Sequence, residues 1–348
     1  MIKGERYLSI DIFKALGIIY LIFLHQTMWF FIFGDIGGLR YEEALPFISY
    51  FAKTSGLHVL GLQLPLLAGM TFYLWVRTKK PSWVRLIQRA FILMGLGFLM
   101  NFLTWGLPSF FSWDVLPFVA VSMLMTFLFV QKGIYGLNFC ILAVLGVGAF
   151  FCSDLFPFSF LENHYFYIIL FGDPRGNHYW PLCPWISVFI LGILMGKTFK
   201  ENDIKKIKLL PWLGIIFMMM SFLSGHFYPE STIDQVWGSK LFKPSSFFVL
   251  GVMGFSLFSI SLTEILLRRF SFLKELIGRS GFIFYSYGIL WAYLLTTIIG
   301  YHLTTNVILR FYPTFFEAKL FLIAVIFIHL IYSYFIGQYL YRLKVHSQ

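Results

Sequence analysis

Ten apolar runs, each near the length that crosses a bilayer, leave this chain little choice of fold. They lie at residues 8–33, 57–76, 86–106, 114–131, 134–152, 181–199, 209–226, 245–267, 281–300 and 316–341. About 20 predominantly apolar residues carry an α-helix across the hydrocarbon core. Within that core every backbone N–H and C=O must be satisfied inside the segment, so runs of this length are helical. Composition agrees: 59% of the residues are hydrophobic and 12% charged, against about 25% charged in soluble domains. The first and last runs are long enough to tilt or to extend beyond the core. The first contains Asp11 and Lys14 and has no small-residue cleavage site after it, which excludes a cleaved signal peptide. The expectation is an all-α polytopic membrane protein with about ten transmembrane helices, in one domain over residues 1–348, enclosing a central cavity.

An even number of spans puts both termini on one side, and the basic residues say which. Of the 27 Lys and Arg, seven (Arg40, Lys53, Arg175, Lys240, Lys243, Arg310 and Lys319) fall on one side and the rest on the other. The positive-inside rule makes the richer side, with both termini, cytoplasmic. The same asymmetry accounts for the net charge of +11. A basic inner face beside anionic lipid is the expected partner, so no nucleic acid is implied.

Charge also enters the first run itself. Arg6 through His25 reads RYLSIDIFKALGIIYLIFLH. On a helix, Asp11 and His25 are about 40° apart around the axis, and Lys14 and His25 about 20° apart and ~16 Å along it. One stripe therefore carries a charged pair near one membrane face and an imidazole towards the other. Ionisable groups in hydrocarbon cost several kcal/mol and usually line a cavity or a pathway. The plainer alternative is a Lys14 that snorkels to the interface beside Asp11, with His25 bonded in a helix–helix seam.

The outer side collects His58, His164, His178, His226 and His302, with Asp35, Glu42, Glu43, Asp114, Glu162, Asp173 and Asp234. A reactive site near His25 would open that way. The spacing contains no HExxH, no paired Cys/His set and no DxD, so no metal site is expected. P-loop, GxGxxG and GxSxG patterns are absent too. Cys140, Cys152 and Cys183 are an odd set in or beside apolar runs and do not form a disulfide framework. Trp and Tyr at the ends of the runs read as interfacial belts.

The opening R-x4-D-x2-K-x10-H resembles the R…D-x2-R-G…H start of integral-membrane acyltransferases. It is similar above all to the heparan-alpha-glucosaminide N-acetyltransferase superfamily and its prokaryotic branch. Leu64-Pro65-Leu66-Leu67-Ala68-Gly69 resembles the family's P-x-F-x-F-x-x-G. Arg89, Gly95-Leu96-Gly97 and Asn101 resemble R-x-x-x-L-x-x-G-x-x-x-N. Asp114-Val115-Leu116-Pro117 stands where the family reads V-L-Q. Asp173-Pro174-Arg175-Gly176 is similar to D-P-E-G, and Trp180-Pro181-Leu182-Cys183-Pro184-Trp185 to F-P-x-x-P-W, followed by Gly192 and Gly196. The stretch from Gly238 through Lys240 to Phe247 resembles N-K-x-L-W-x-x-S-F. The ordered matches run from residue 6 to about 255. Departures fall at Lys14-Ala15, where the family has Arg-Gly, and at Arg175, where it has Glu. Tyr285-Ser286-Tyr287-Gly288 stands where many relatives place a His. Lys keeps the charge of Arg but loses its planar fork. These departures bear on substrate identity more than on reaction type.

The resemblance implies transfer of an acyl group, acetyl or longer, from cytoplasmic acyl-CoA to a sugar amine or hydroxyl at the outer face. CoA is polyanionic, so Lys14, Arg85 and Arg89 would dock its nucleotide end, with Lys79 and Lys80 as steering charges. His25 would be the general base, since imidazole titrates near ambient pH. Asn101 or Lys240 would stabilise the oxyanion. Asp11, Asp173 and Trp185 complete the substrate-binding set, with Asp11 holding Lys14. The partners implied are acyl-CoA, a glycan or glycolipid acceptor and membrane lipids, in a prokaryotic cytoplasmic membrane; a homo-oligomer is left open. Two other classes fit the same residues. Buried charge and glycine-rich spans suit a transporter or flippase for a lipid-linked or small anionic substrate, although no inverted repeat is visible. A scaffold subunit without chemistry would tolerate changes at His25 and Lys14.

Overall fold

A computed structural model describes residues 7–32, 61–155, 165–172, 180–224, 244–303, 306 and 315–346, and every regular element among them is helical. In chain order these are α1 (Leu8–Ile32), α2 (Leu64–Lys79), α3 (Trp83–Trp105), α4 (Val115–Lys132) and α5 (Gly136–Leu155). They continue with α6 (Tyr165–Phe171), α7 (Leu182–Lys200), α8 (Ile204–Leu223) and α9 (Ser246–Arg269). The last four are α10 (Ser271–Arg279), α11 (Ile283–Tyr287), α12 (Ile289–Leu303) and α13 (Phe315–His346). A 3₁₀ turn, Leu107–Ser109, follows α3. Each apolar run contains a helix. Among the described residues six are long and apolar enough to cross a membrane: α3, α4, α7, α8, α9 and Ile323–Val345 of α13. Gly136–Phe151 and α12 are shorter apolar helices. The outer loops 34–56 and 227–243, and most of 153–180, lie outside the described residues.

The contacts divide the chain into two compact units, one of residues 1–61 and 266–348 and one of residues 62–265. In the second unit α2 and α7 form the centre. Hydrocarbon is as apolar as leucine, so burial alone does not hold helices together there; close packing and hydrogen bonds do. Gly69 and Gly192 provide the closeness: a Cβ on Gly69 would collide with the Phe189 carbonyl, and one on Gly192 with the Leu66 carbonyl. Gly196 lies against Met70 in the same way, with the Met70 carbonyl 3.0 Å from where a Cβ would stand. Phe189 and Trp185 of α7, and Leu66 and Leu67 of α2, are fully buried around this contact. Gly97 lets α3 approach Pro117 of α4, and Gly214 and Gly254 bring α8 and α9 together. Large apolar side chains elsewhere face outward, among them Phe91 on α3, Val144 on α5 and Leu223 on α8.

Polar contacts tie together the basic ends of these helices. Arg77 Nη1 at the end of α2 donates to the Gln131 carbonyl of α4 at 3.3 Å. Lys197 Nζ on α7 donates to the Ile134 carbonyl at 2.7 Å and lies 4.1 Å from the centre of the Tyr135 ring. The Tyr135 hydroxyl donates to Glu201 at 2.8 Å. The tight turn that feeds α5 is made by Gly133, at φ 101°. At the next helix start, Asp203 accepts the backbone N–H of Lys206 at 3.1 Å and caps α8.

In the other unit, α1 packs with α11, α12 and α13. The run at 281–300, expected as one span, is divided: α11 ends at Tyr287 and α12 begins at Ile289. Gly288 sits between them against α13, where a Cβ would stand 3.1 Å from the Gly337 nitrogen and 3.3 Å from the Ser333 carbonyl. A Cβ on Gly337 would in turn collide with the Phe284 carbonyl. The break therefore falls where two glycines let the backbones approach.

Gly192→Ala or Gly69→Ala forces α2 from α7, and overpacking of this kind costs about 1–3 kcal/mol. The thermal midpoint in detergent should fall for both, and hold or rise for Gly148→Ala, where a Cβ meets open space. Equal midpoints for all three variants would refute the close contact. The hydrogen bond to Glu201 and its charge hold the Tyr135 phenol above its ordinary value of 10.0. A raised value means the stabilisation is complete below the ordinary value and is lost as pH rises through the raised one. The midpoint gap between wild type and Tyr135→Phe should thus be constant to about pH 9 and close above it. A gap that persists at strongly alkaline pH would contradict the contact.

Candidate functional site

The stripe expected on the first helix is present, and the structure supplies its neighbours. Asp11 sits in the second half-turn of α1, where its Oδ1 accepts from the Ser286 hydroxyl of α11 at 2.6 Å. Lys14, one turn on, is half-buried, as is Asp11. His25 lies 14 residues beyond Asp11, about 21 Å along the axis. Its Nδ1 is buried, and its ring lies 6.0 Å from that of Tyr293 on α12, tilted by 53°. The next residue, Gln26, is fully buried and donates from Nε2 to the Thr296 carbonyl at 3.3 Å. Gly300 leaves room for that amide, since a Cβ there would collide with it. The Thr296 hydroxyl and the Tyr332 hydroxyl of α13 are 3.1 Å apart.

The remaining expected residues lie in the other unit. Arg85 and Arg89 are one turn apart on the same exposed face of α3. Ser82 starts that helix by accepting the Arg85 backbone N–H at 3.4 Å. The Arg89 guanidinium lies 4.6 Å over the Trp75 ring of α2, which orients it without spending its charge. Asn101 is buried, and its Nδ2 donates to the Ser112 carbonyl at 2.7 Å. One of its two N–H hydrogens thereby fixes the segment after the 3₁₀ turn; the other is the one left for a different acceptor. Trp185 is fully buried, its ring 4.7 Å from that of Trp180. Trp180 in turn accepts from the Trp113 indole through its carbonyl at 2.9 Å. Lys240 and Asp173 lie outside the described residues. Among the described residues no group of His, Cys, Asp and Glu is placed to hold a metal ion.

Several residues were not singled out from sequence. Ser286 belongs to a stretch noted only for the histidine it lacks, and its bond to Asp11 joins positions far apart in the chain. His329 of α13 is fully buried, and its Nδ1 bonds the Val325 carbonyl at 2.7 Å. Glu264 of α9 is buried as well. His329 and Glu264 were detectable: each is ionisable and lies within an apolar run, which alone marks a functional candidate.

A chain whose described elements are all helical, with outward-facing apolar side chains and ionisable groups buried inside its helices, is an integral membrane protein with intramembrane polar sites. Residues 6–228 match the family model of the heparan-alpha-glucosaminide N-acetyltransferase catalytic domain. That is more than half of the chain, and it belongs to this family. Membership carries a membrane acetyltransferase type of activity. No curated protein and no solved structure matches the chain. The matched segment includes all of α1 with Asp11, Lys14 and His25, and ends before α9.

The Asp11–Ser286 bond joins a carboxylate to a hydroxyl, and bonds to charged groups contribute about 1.5–3 kcal/mol. A double-mutant cycle of Asp11→Asn and Ser286→Ala, read by thermal unfolding in detergent, should show coupling on that order. Strict additivity would exclude the contact.

Proposed function

We propose that this protein is a membrane-bound acyltransferase. It moves an acyl group, acetyl in the simplest case, from cytoplasmic acyl-CoA to an amine or hydroxyl of a glycan or glycolipid at the outer face of a prokaryotic cytoplasmic membrane. The observation that carries this reading is the family match over α1, because it includes the one helix that bears Asp11, Lys14 and His25 on a stripe.

The chemistry follows from the residue types. His25 takes the proton of the acceptor amine or hydroxyl as that group attacks the thioester carbonyl carbon. A new C–N or C–O bond forms and the carbonyl oxygen becomes an oxyanion. The free N–H of Asn101, or Lys240, donates to it. Collapse breaks the C–S bond, and the CoA thiolate leaves with the proton that His25 returns. The Tyr293 ring, 6.0 Å away and tilted by 53°, is the aromatic neighbour of that imidazole. Arg85 and Arg89, on one face of α3, are cations of the kind the CoA phosphates need, and Lys14 on α1 is another. Asp11, bonded to Ser286, holds the first turns of α1 in place beside Lys14. Asp173 and Trp185 complete the substrate-binding set.

One observation favours transport instead. Discontinuous helices line the binding sites of many transporters, and the α11–α12 break at Gly288 is such an interruption. CoA release separates the two. Purified protein with acetyl-CoA and a panel of amino and hydroxyl sugars should release CoA only with an acceptor, and His25→Ala should lower the rate by about 10²-fold or more. Equal rates in both proteins would move the base away from α1. Neither release nor acetyl-CoA binding would leave the transporter or flippase in front.

A further inference from the structure

The polar groups that acyl transfer leaves unused gather on α1, α12 and α13. One stripe of α13, a residue at every fourth position, faces inward: Val325, His329, Ser333 and Gly337 are all buried. The stripe is directed at the other helices of its unit, because Ser333 and Gly337 lie against Gly288 and the neighbouring Tyr332 meets Thr296. His329 is therefore an imidazole in the interior of the unit. Contacts link it to Gln26: Gln26 bonds the Thr296 carbonyl, Thr296 meets Tyr332, and the His329 ring lies 5.0 Å from that of Tyr332, tilted by 56°. Gln26 adjoins His25 in sequence.

The hydrogen bonds fix the polarity of what is left over. A carbonyl only accepts, so His329 Nδ1 carries the hydrogen bonded to Val325, and Nε2 of the neutral ring is a bare acceptor. That Nε2 is buried and has no partner among the described residues. Gln26 spends its amide N–H on Thr296, and its Oε1 is a second buried acceptor without a partner there. The hydroxyls of Thr297 and Ser333 are buried and unpartnered in the same sense. Thr297 lies one turn from Tyr293, on the flank of α12 that meets α1. Buried polar groups are nearly always satisfied in native proteins, and a concentration of unsatisfied ones calls for a ligand or ordered water. Two bare acceptors and two hydroxyls, with no Lys or Arg among their partners, suit hydrogen-bond donors. A phosphate would meet lone pairs there; a polyol or an amino sugar would meet partners for its O–H and N–H hydrogens.

We propose that His329, Gln26, Thr297 and Ser333 form a subsite that binds the hydroxyl- or amine-bearing part of the acceptor. The subsite rests on the acyl-transfer reading and adds to it a place and a chemistry for the second substrate. It lies outside the His25–CoA machinery, so His329 is a binding and positioning residue for the acceptor.

The test uses the full-length protein in detergent with glucosamine as the probe acceptor. His329→Leu should raise KM for glucosamine about tenfold or more, the factor that one lost buried hydrogen bond allows, and leave KM for acetyl-CoA within about twofold. His329→Gln, which restores a side-chain acceptor, should recover part of the loss. Should His329→Leu not fold, His329→Gln and Gln26→Leu carry the same comparison. An unchanged glucosamine KM means that ordered water alone fills the site and overturns the proposal, as does an equal rise in both KM values. If wild type releases no CoA with glucosamine or any sugar of the panel, acyl transfer itself fails. Equilibrium binding of labelled glucosamine then decides the subsite: binding lost in His329→Leu upholds it, and binding equal in both proteins, or absent from wild type, overturns it.

Discussion

Close backbone contact at glycine is the constraint on which the larger unit depends. In hydrocarbon the transfer of leucine from lipid to protein gains almost nothing, so two helices stay together only if their atoms meet more closely than lipid would meet them. At Gly69 and Gly192 the facing carbonyls occupy the space of the missing side chains. The large residues around the contact, Trp185, Phe189, Leu66 and Leu67, are completely buried as a consequence. Arg89 over Trp75 ties α3 to α2, and α4 follows α3 through Gly97 and Pro117. The candidate CoA-binding arginines are thus held, two steps out, by a pair of hydrogen atoms where side chains would be.

The smaller unit is built on a different balance. Glycine again sets the approach, at Gly288, Gly300 and Gly337, but hydrogen bonds between side chains and across helices fill the space that results. Asp11 with Ser286, Gln26 with Thr296, and Thr296 with Tyr332 link α1 to α11, α12 and α13 in turn. Each bond is worth more if its alternative is an unsatisfied group in hydrocarbon, and less if that alternative finds another partner. A seam of this kind specifies one register of the helices, since a shift by one residue would strand every member.

Much of this was visible in the sequence. Each apolar run contains a helix, because length and hydropathy are local properties that the bilayer enforces, although the run at 281–300 holds two. The stripe from Asp11 to His25 followed from helical geometry alone. What could not be read were partners across helices. Nothing near Asp11 points to Ser286, 275 positions away, and nothing near Asn101 shows that one of its donors is spent on Ser112. The break at Gly288 was hidden for a related reason: a glycine in an apolar run signals a close approach only once the approaching backbone, here that of Gly337, is known. His329 was legible, as an ionisable side chain in the middle of an apolar run.

The gradient of polarity along α1 gives these pieces a common direction. At the Asp11 level the neighbours are a carboxylate, an ammonium and a hydroxyl; about 21 Å further on they are an imidazole, an amide and hydroxyls. Charge in hydrocarbon is costly wherever it lacks a partner or water, so a polyanion belongs at the ionic end and only a neutral group can reach the other. In the proposed reaction the two substrates divide in this way. The CoA phosphates stay with cationic side chains, Lys14 among them, while the uncharged thioester and an acceptor nucleophile meet towards the His25 end, where Gln26 and His329 offer lone pairs. Lys14 in place of Arg fits such a division, because a single flexible ammonium can follow a phosphate along an interface where a planar fork would demand one geometry. Specificity for the donor would then come from charge at one end of α1, and specificity for the acceptor from the count and polarity of hydrogen bonds at the other.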